Sequence, residues 1–241
     1  MIDLYSWATS NGHKVHIMLE ETGLPYTVHP IDIQDGAQFR PDFLKISPNN
    51  KIPAIVDRVG PGGKPITIFE SAAILIYLAN KTGQFAPQDP RDRVEALQWL
   101  MFQMGSVGPM LGQANHFVTY APARFPKEAL EYGQERYANE ANRIFGVLDR
   151  RLANHEWVAG GMYTIVDMAI FPWLRNPHRF NVDIAKYPHV KRWWDAVAAR
   201  PAVQRGLQVL AAERPAGPHS DRAWEMLYGK TQYVDPSDRP A

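Results

Sequence analysis

The sequence predicts two small domains in one chain: a four-stranded mixed α/β unit followed by an all-helical unit. Three observations predict this. Short strand patterns alternate with short helices up to Gly83, in the order β-α-β-α-β-β-α. A polar, proline-rich segment, Pro87-Gln88-Asp89-Pro90, comes next. Beyond it almost every apolar repeat has helical spacing. The expected division is residues 1–87, 90–212 and a tail over 213–241.

Ile2 to Tyr5 reads as the first strand, and His13 to Thr22 as a helix with Val15, Ile17, Met18 and Leu19 apolar. Gly23 stops that helix and Pro25 follows, as expected past a helix end. Tyr26 to Ile33 is the second strand pattern, and Pro30 marks it as an edge or a short piece. Pro41 to Ile46 is a short helix with proline at its start. Ala54 to Val59 is a strand, Gly60 to Lys64 a turn, and Pro65 to Phe69 its hairpin partner. A strongly apolar helix over Ser71 to Thr82 closes the first unit.

In the second unit, Arg91 to Met104 is one helix, which Gly105-Ser106-Val107-Gly108-Pro109 interrupts or bends. Lys127 to Asn154 is a long helix with Tyr137, Ala141, Ile144, Leu148 and Leu152 on one face. Thr164 to Trp173, Tyr187 to Ala199 and Val203 to Ala211 follow as helices. Glu213 to Ala241, rich in proline and charge, reads as an extended tail.

Composition narrows the chemistry. The chain has 241 residues, 45% of them hydrophobic, which suits a globular protein. Lys+Arg is 26 against Asp+Glu 25, so no net charge marks it for nucleic acid or an anionic membrane. The cysteine count is zero, which excludes disulfide frameworks, zinc–thiolate sites and a protein thiol nucleophile. Thiol chemistry here needs a thiol brought by a ligand. The most apolar run, Ala72 to Ala79, is too short to span a membrane. The N-terminus lacks a signal-peptide pattern, and the expected compartment is the cytoplasm.

Three segments carry candidate chemistry. Thr9-Ser10-Asn11-Gly12 stands where the first helix begins. A helix N-terminus presents free N–H groups and partial positive charge, which lowers the pKa of a thiol held against it. Thr9 or Ser10 hydroxyls and the Asn11 amide suit a thiolate; plain N-capping suits the same residues. Ser47-Pro48-Asn49-Asn50-Lys51-Ile52-Pro53 leads into the third strand. A cis bond at Ile52-Pro53 would turn the Ile52 main chain outward to pair with an extended peptide, with Lys51 near a carboxylate. An ordinary strand-initiating proline is the alternative. Ser71 caps the next helix, beside Glu70. That pair suits the two charges of an α-amino acid head, or simply a helix start. Gln38, a lone amide in a loop, is weak by itself.

All three segments fall at one end of the predicted sheet, so one ligand can touch them all. It would need an amino-acid head, a peptide middle, a terminal carboxylate and a thiol near Asn11. Glutathione has those parts.

On these residues the chain resembles the glutathione transferases, and within them the bacterial Nu class of disulfide-bond reductases. The stretches that carry the resemblance are Asn11-Gly12-His13-Lys14, Gly36 to Pro41, Ile46 to Ile55, Phe69-Glu70-Ser71, Gly108 to Gln113 and Glu135-Arg136-Tyr137. It extends to about residue 211. The resemblance implies a thioredoxin-like N-terminal domain with an all-helical C-terminal domain. It places Thr9 and Asn11 at the glutathione sulfur, and Gln38, Lys51, Ile52, Glu70 and Ser71 along the rest of the ligand. Arg136, on the long helix, matches an arginine that reaches the ligand, across a homodimer or within one chain. Glutathione or glutathione disulfide is then the ligand and co-substrate, with no metal, nucleic acid or membrane partner. Ser10 stands where proline is common in the family, which leaves the choice between Thr9 and Ser10 open.

Other signals are weaker. His13, His16 and Glu20 share a helical spacing but no metal-site signature, and read as a solvated or helix-packing face. Thr164 to Asp167 is a capping-box variant. Trp99, Phe102, Phe117 and Trp173 are either core or the lining of a second-substrate pocket between the domains. The expected activity is glutathione-dependent disulfide reduction. Conjugation or thioether cleavage of electrophilic or lignin-type aryl substrates is the alternative, and a non-enzymatic binding module on the same fold is a third.

Overall fold

A parallel strand pair forms one side of the sheet. β1 (Ile2–Ser6) lies parallel to β2 (Tyr26–Pro30), and α1 (Ser10–Thr22) makes the crossover between them. Parallel neighbours need a crossover of about a dozen residues or more, usually a helix. The computed structural model describes residues 1–213 and 217–233. A short α2 (Pro41–Leu44) follows, then β3 (Ala54–Asp57), β4 (Ile66–Phe69) and α3 (Ser71–Thr82). The strand order is β2-β1-β3-β4, with β3 antiparallel to both β1 and β4. Leu4 faces Val28 on one side and Ile55 on the other. β2 is an edge strand that ends at Pro30, where a missing N–H does no harm.

Alternate β1 residues serve opposite faces. Ile2 and Leu4 join Met18, Ile74, Leu75 and Leu78 in the core. Tyr5, on the other face, stacks on His29 at 4.7 Å between ring centres and meets Phe43 of α2. α1 and α3 both end at glycines in the left-handed conformation, Gly23 and Gly83. Those are the stops expected from the sequence.

The second unit opens with α4 (Pro90–Phe102), capped by the Asp89 side chain. Gly105 to Pro109 does not interrupt the helical chain, so the interruption allowed for in the sequence is not found. The chain stays helical there, widens into a π-helical turn over Gln103–Val107, and continues as α5 (Gly108–Asn115). Pro109 is tolerated because the wider turn precedes it. A second π-helical turn, His116–Tyr120, follows. Next come α6 (Lys127–Leu152), α7 (Ile165–Leu174), α8 (Pro188–Ala198) and α9 (Pro201–Gln208). α7 is buried along nearly its whole length and starts at a complete capping box between Thr164 and Asp167. Burial pushes the Asp167 carboxyl up to about 6, although Val158 N–H and the Trp193 indole also donate to it.

One hydrophobic core runs through both units, from Ile2 to Val203. α9 packs on α1, where Arg200 and Arg205 form ion pairs with Glu21 and Glu20 at 2.6 and 2.7 Å.

The segment read as an extended tail is partly folded. Asp221–Tyr228 forms a tenth helix, α10, capped by Ser220, and a 3-10 turn over Lys230–Gln232 follows it. Residues 214–216 and 234–241 of that reading lie outside the described residues.

Candidate functional site

The N-terminal end of α1, the loop before β3, the start of α3 and the α4–α5 rod enclose a cleft with two chambers, of about 810 and about 320 Å³. Asn11, Lys51, Ile52, Gly112, Trp173 and Tyr228 line both.

The turn into α1 brings the chain very close to itself. A Cβ on Gly12 would lie 2.1 Å from the Trp7 carbonyl oxygen, so glycine is required there. Thr9 is the N-cap, and its Oγ1 accepts the Gly12 N–H at 3.1 Å. That bond uses a lone pair and leaves the hydroxyl proton available. Ser10 is the first helical residue, and both hydroxyl residues line the smaller chamber. Asn11 Oδ1 accepts the Trp173 indole N–H at 3.0 Å. An indole N–H only donates, so the amide oxygen must face Trp173 and the NH₂ must face away from it. Trp173 thereby decides which end of Asn11 meets the cleft.

Ile52-Pro53 is a cis bond. Among the described residues the Ile52 main chain makes no hydrogen bond within the protein, and the residue lines both chambers. Lys51 Nζ donates to Gln232 Oε1 at 2.8 Å, and burial lowers its pKa. Gln38 is buried, and its Nε2 donates to the carbonyls of Ile33 at 3.1 Å and Met226 at 3.5 Å. Its Oε1 is buried without a partner. The segment that carries α10 therefore lies over Gln38 and Lys51. An aromatic cluster holds it there: His116 meets Trp224 and Tyr228, with ring centres at 5.5 and 4.6 Å. Arg222 pairs with Asp35, in the loop before α2.

At α3 the roles differ from those expected. Glu70, not Ser71, is the N-cap, and it holds φ at +69°. A non-glycine residue in that region is strained, and such strain concentrates at functional sites. The Asn49 amide donates to the Glu70 carboxylate at 3.4 Å. Ser71 is the first helical residue, and its hydroxyl makes no capping bond. It accepts from Lys14 Nζ at 3.2 Å instead.

Arg136 is the residue that the chain does not bring to the cleft. It is 54% exposed on α6, pairs with Glu140 at 4.0 Å, and lines neither chamber. Of the four aromatics weighed as a pocket, only Trp173 lines the cleft. Trp99 packs edge-on against Phe102, and Phe117 stacks on Tyr137. His16 is buried against Ser6 Oγ at 2.8 Å, and burial pushes its pKa down to about 4. No group of three acidic or histidine side chains among the described residues is placed to hold a metal.

Sequence reasoning missed Lys14, Gln103, Met104, His116 and Tyr228 as lining residues. Gln103 and His116 each open a π-helical turn, a feature that recurs at functional sites and has no plain sequence signal.

Comparison with known proteins identifies the family. Residues 9–81 match the family described as "Glutathione S-transferase, N-terminal domain", and residues 113–201 match "Glutathione S-transferase, C-terminal domain". The chain is 49% identical over 208 residues to the disulfide-bond oxidoreductase YfcG of Escherichia coli K12, covering 86% of this chain and 94% of that protein. It is 43% identical to the disulfide-bond oxidoreductase YghU of the same organism, covering 93% and 79%. A glutathione transferase from Pseudomonas putida, solved with one glutathione disulfide per subunit, superposes with a TM-score of 0.82 at 47% identity, over 86% of this chain and 91% of that one. A glutathione transferase family member from Pseudomonas fluorescens, solved with two glutathione molecules, gives 0.80 at 50% identity, over 86% and 92%.

Proposed function

The chain belongs to the glutathione S-transferase family, and we propose that it is a glutathione-dependent disulfide-bond oxidoreductase working without a protein thiol. The observation that carries this reading is the pair of donors at the start of α1. Thr9 has a hydroxyl proton left to give, and Trp173 holds Asn11 with its NH₂ toward the cleft. Together with the helix N-terminus they favour the thiolate over the thiol.

The rest of the cleft suits the rest of glutathione. Ile52 offers an unpaired N–H and C=O to the peptide, as an added strand would use them. Glu70 suits the ammonium of the γ-glutamyl head and Ser71 its carboxylate. Gln38 and Lys51 suit the far end once the α10 segment moves aside. Arg136 reaches a site only if a partner subunit brings it there, in keeping with a homodimer. The expected compartment remains the cytoplasm; no described helix is long and apolar enough to cross a membrane.

The reaction is two exchanges. The bound thiolate attacks one sulfur of the substrate disulfide. The S–S bond breaks, a mixed disulfide forms with glutathione, and the other sulfur leaves as a thiolate that takes up a proton. A second glutathione thiolate attacks the mixed disulfide at the glutathione sulfur. Glutathione disulfide forms and the second substrate thiol leaves. Two glutathiones are oxidised for each disulfide reduced, and the chain, having no cysteine, never becomes covalently linked.

The test is the steady-state reduction of a small model disulfide by the pure protein with glutathione, coupled to glutathione reductase and followed by NADPH consumption. A rate well above uncatalysed exchange is expected. A background rate with glutathione still bound points to conjugation or thioether cleavage; no binding points to a non-enzymatic module.

A further inference from the structure

Four side chains meet below the first turn of α3, and they bring more donors than good acceptors. Lys14 Nζ lies 3.2 Å from Ser71 Oγ, 2.7 Å from Gln103 Oε1 and 3.7 Å from Met104 Sδ. The Ser71 hydroxyl points its own proton at the same sulfur, also at 3.7 Å. Gln103 is fully buried, and its Nε2 has no acceptor at all. The ammonium thus meets two neutral oxygens and a thioether, the hydroxyl has only that weakly accepting thioether, and the amide NH₂ has no acceptor. Lys14 is 1% exposed and forms no ion pair among the described residues. A buried ammonium without an anion is costly, and burial lowers its pKa to about 7. All four side chains line the larger chamber.

We propose that Lys14 is a direct glutathione-binding residue: with Ser71 it receives the α-carboxylate of the γ-glutamyl head, and Gln103 Nε2 donates a further bond. This rests on the reading of glutathione as the ligand. Charge favours the head over the other carboxylate. Glu70 adjoins Ser71 and acts electrostatically on Lys14, so a zwitterionic head meets one opposite charge at each end. Without Lys14 the head would meet a net negative pocket. The carboxylate oxygens displace the sulfur as acceptor for both Lys14 and Ser71, and they give Gln103 the acceptor it lacks.

Binding then recharges Lys14. Glu70 is the charged group that acts on it, while α3 and the π-helical turn present only Ser71, Gln103 and Met104. His16 on α1 is turned to Ser6, and Asp167 on α7 to Thr164 and Trp193.

Calorimetry with S-methylglutathione, which has no thiol to ionise, tests the assignment. A second ligand carries hydrogen in place of the γ-glutamyl α-carboxylate. Wild-type protein should bind this second ligand about tenfold or more weakly, as expected for a lost charge-assisted bond. In Lys14→Met the two ligands should differ by about threefold or less, because the carboxylate has lost its cation. If Lys14→Met discriminates as strongly as wild type, the proposal is wrong. A second arm needs only the wild type, and so survives a variant that does not fold. Near pH ~8, in two buffers of different ionisation enthalpy, S-methylglutathione should take up a proton on binding and the second ligand should not. Equal proton uptake for both ligands, or none for either, overturns the proposal. Failure of S-methylglutathione to bind wild type would instead overturn the glutathione reading on which it rests.

Discussion

Asn11 has two ends of opposite chemistry, and only one of them helps a thiolate. The carboxamide oxygen would repel negative charge; the NH₂ group stabilises it. The Trp173 bond at 3.0 Å selects the useful end, so the tryptophan acts through the asparagine. Asn11→Ala should therefore lower turnover about tenfold or more while changing glutathione affinity by less than about threefold, since the bond matters most to the ionised sulfur. Trp173→Phe should reproduce much of that loss by freeing the amide to flip. Both variants should raise the pKa of the bound thiol, read as thiolate absorbance against pH. Wild-type titration in both would remove the thiolate role from this pair. Thr9 and Asn11 were legible because cap residues at a helix start announce their position. Lys14 was harder to see. It stands three and four residues before Ile17 and Met18, on the buried face of α1, and that spacing was the available signal. Its partners Gln103 and Met104 lie about ninety residues away in sequence, and only the packing of α7 against α1, α3 and the π-helical turn unites them.

Elements whose ends carry their own chemistry were the ones the sequence made plain. Pro41, Pro90, Gly23 and Gly83 sit at helix boundaries, and the Thr164–Asp167 capping box stands where it was read. α10 was not legible, because eight residues in a proline-rich, charged stretch have little helix stability of their own. Trp224 and Tyr228 packing on His116 supplies it, and that contact is over a hundred residues away in the chain. The π-helical turns were hidden for a related reason: Gly105 to Pro109 looks like a helix breaker until the neighbours that support the wider turn are known. The α1–α9 contact makes a direct test of element packing possible. A Cβ on Gly206 would stand 2.8 Å from the Ile17 main-chain nitrogen, which cannot move without shifting α1. Gly206→Ala should destabilise the fold by about 1–3 kcal/mol, as overpacking does. Chemical denaturation measures it, and an unchanged midpoint would mean that α9 is free to move off α1.

The two units share one core, so the sheet that presents the cleft and the helices that wall it should unfold together. The outer face of the sheet carries a charge contact that joins three of its segments. Asp3 on β1 accepts from His29 on β2 at 3.0 Å and from Arg58, just past β3, at 2.7 and 2.9 Å. The Arg58 guanidinium, with His29 second, holds the Asp3 carboxyl down at about 2. A carboxylate depressed in the folded state stabilises it at pH values above the ordinary aspartate value near ~4, and the contribution is lost as pH falls through the folded value. Because Arg58 is well exposed, solvent screens the pair and keeps its contribution at neutral pH small. Asp3→Asn should then lower the denaturation midpoint at neutral pH. The gap from wild type should narrow as pH drops below ~4 and close only below ~2, once Asp3 is protonated in both states. Intrinsic fluorescence and glutathione binding should be lost at the same denaturant concentration in both proteins, since the sheet and the cleft walls rest on one core. A binding loss that clearly precedes the fluorescence change would show that the cleft opens before the core does.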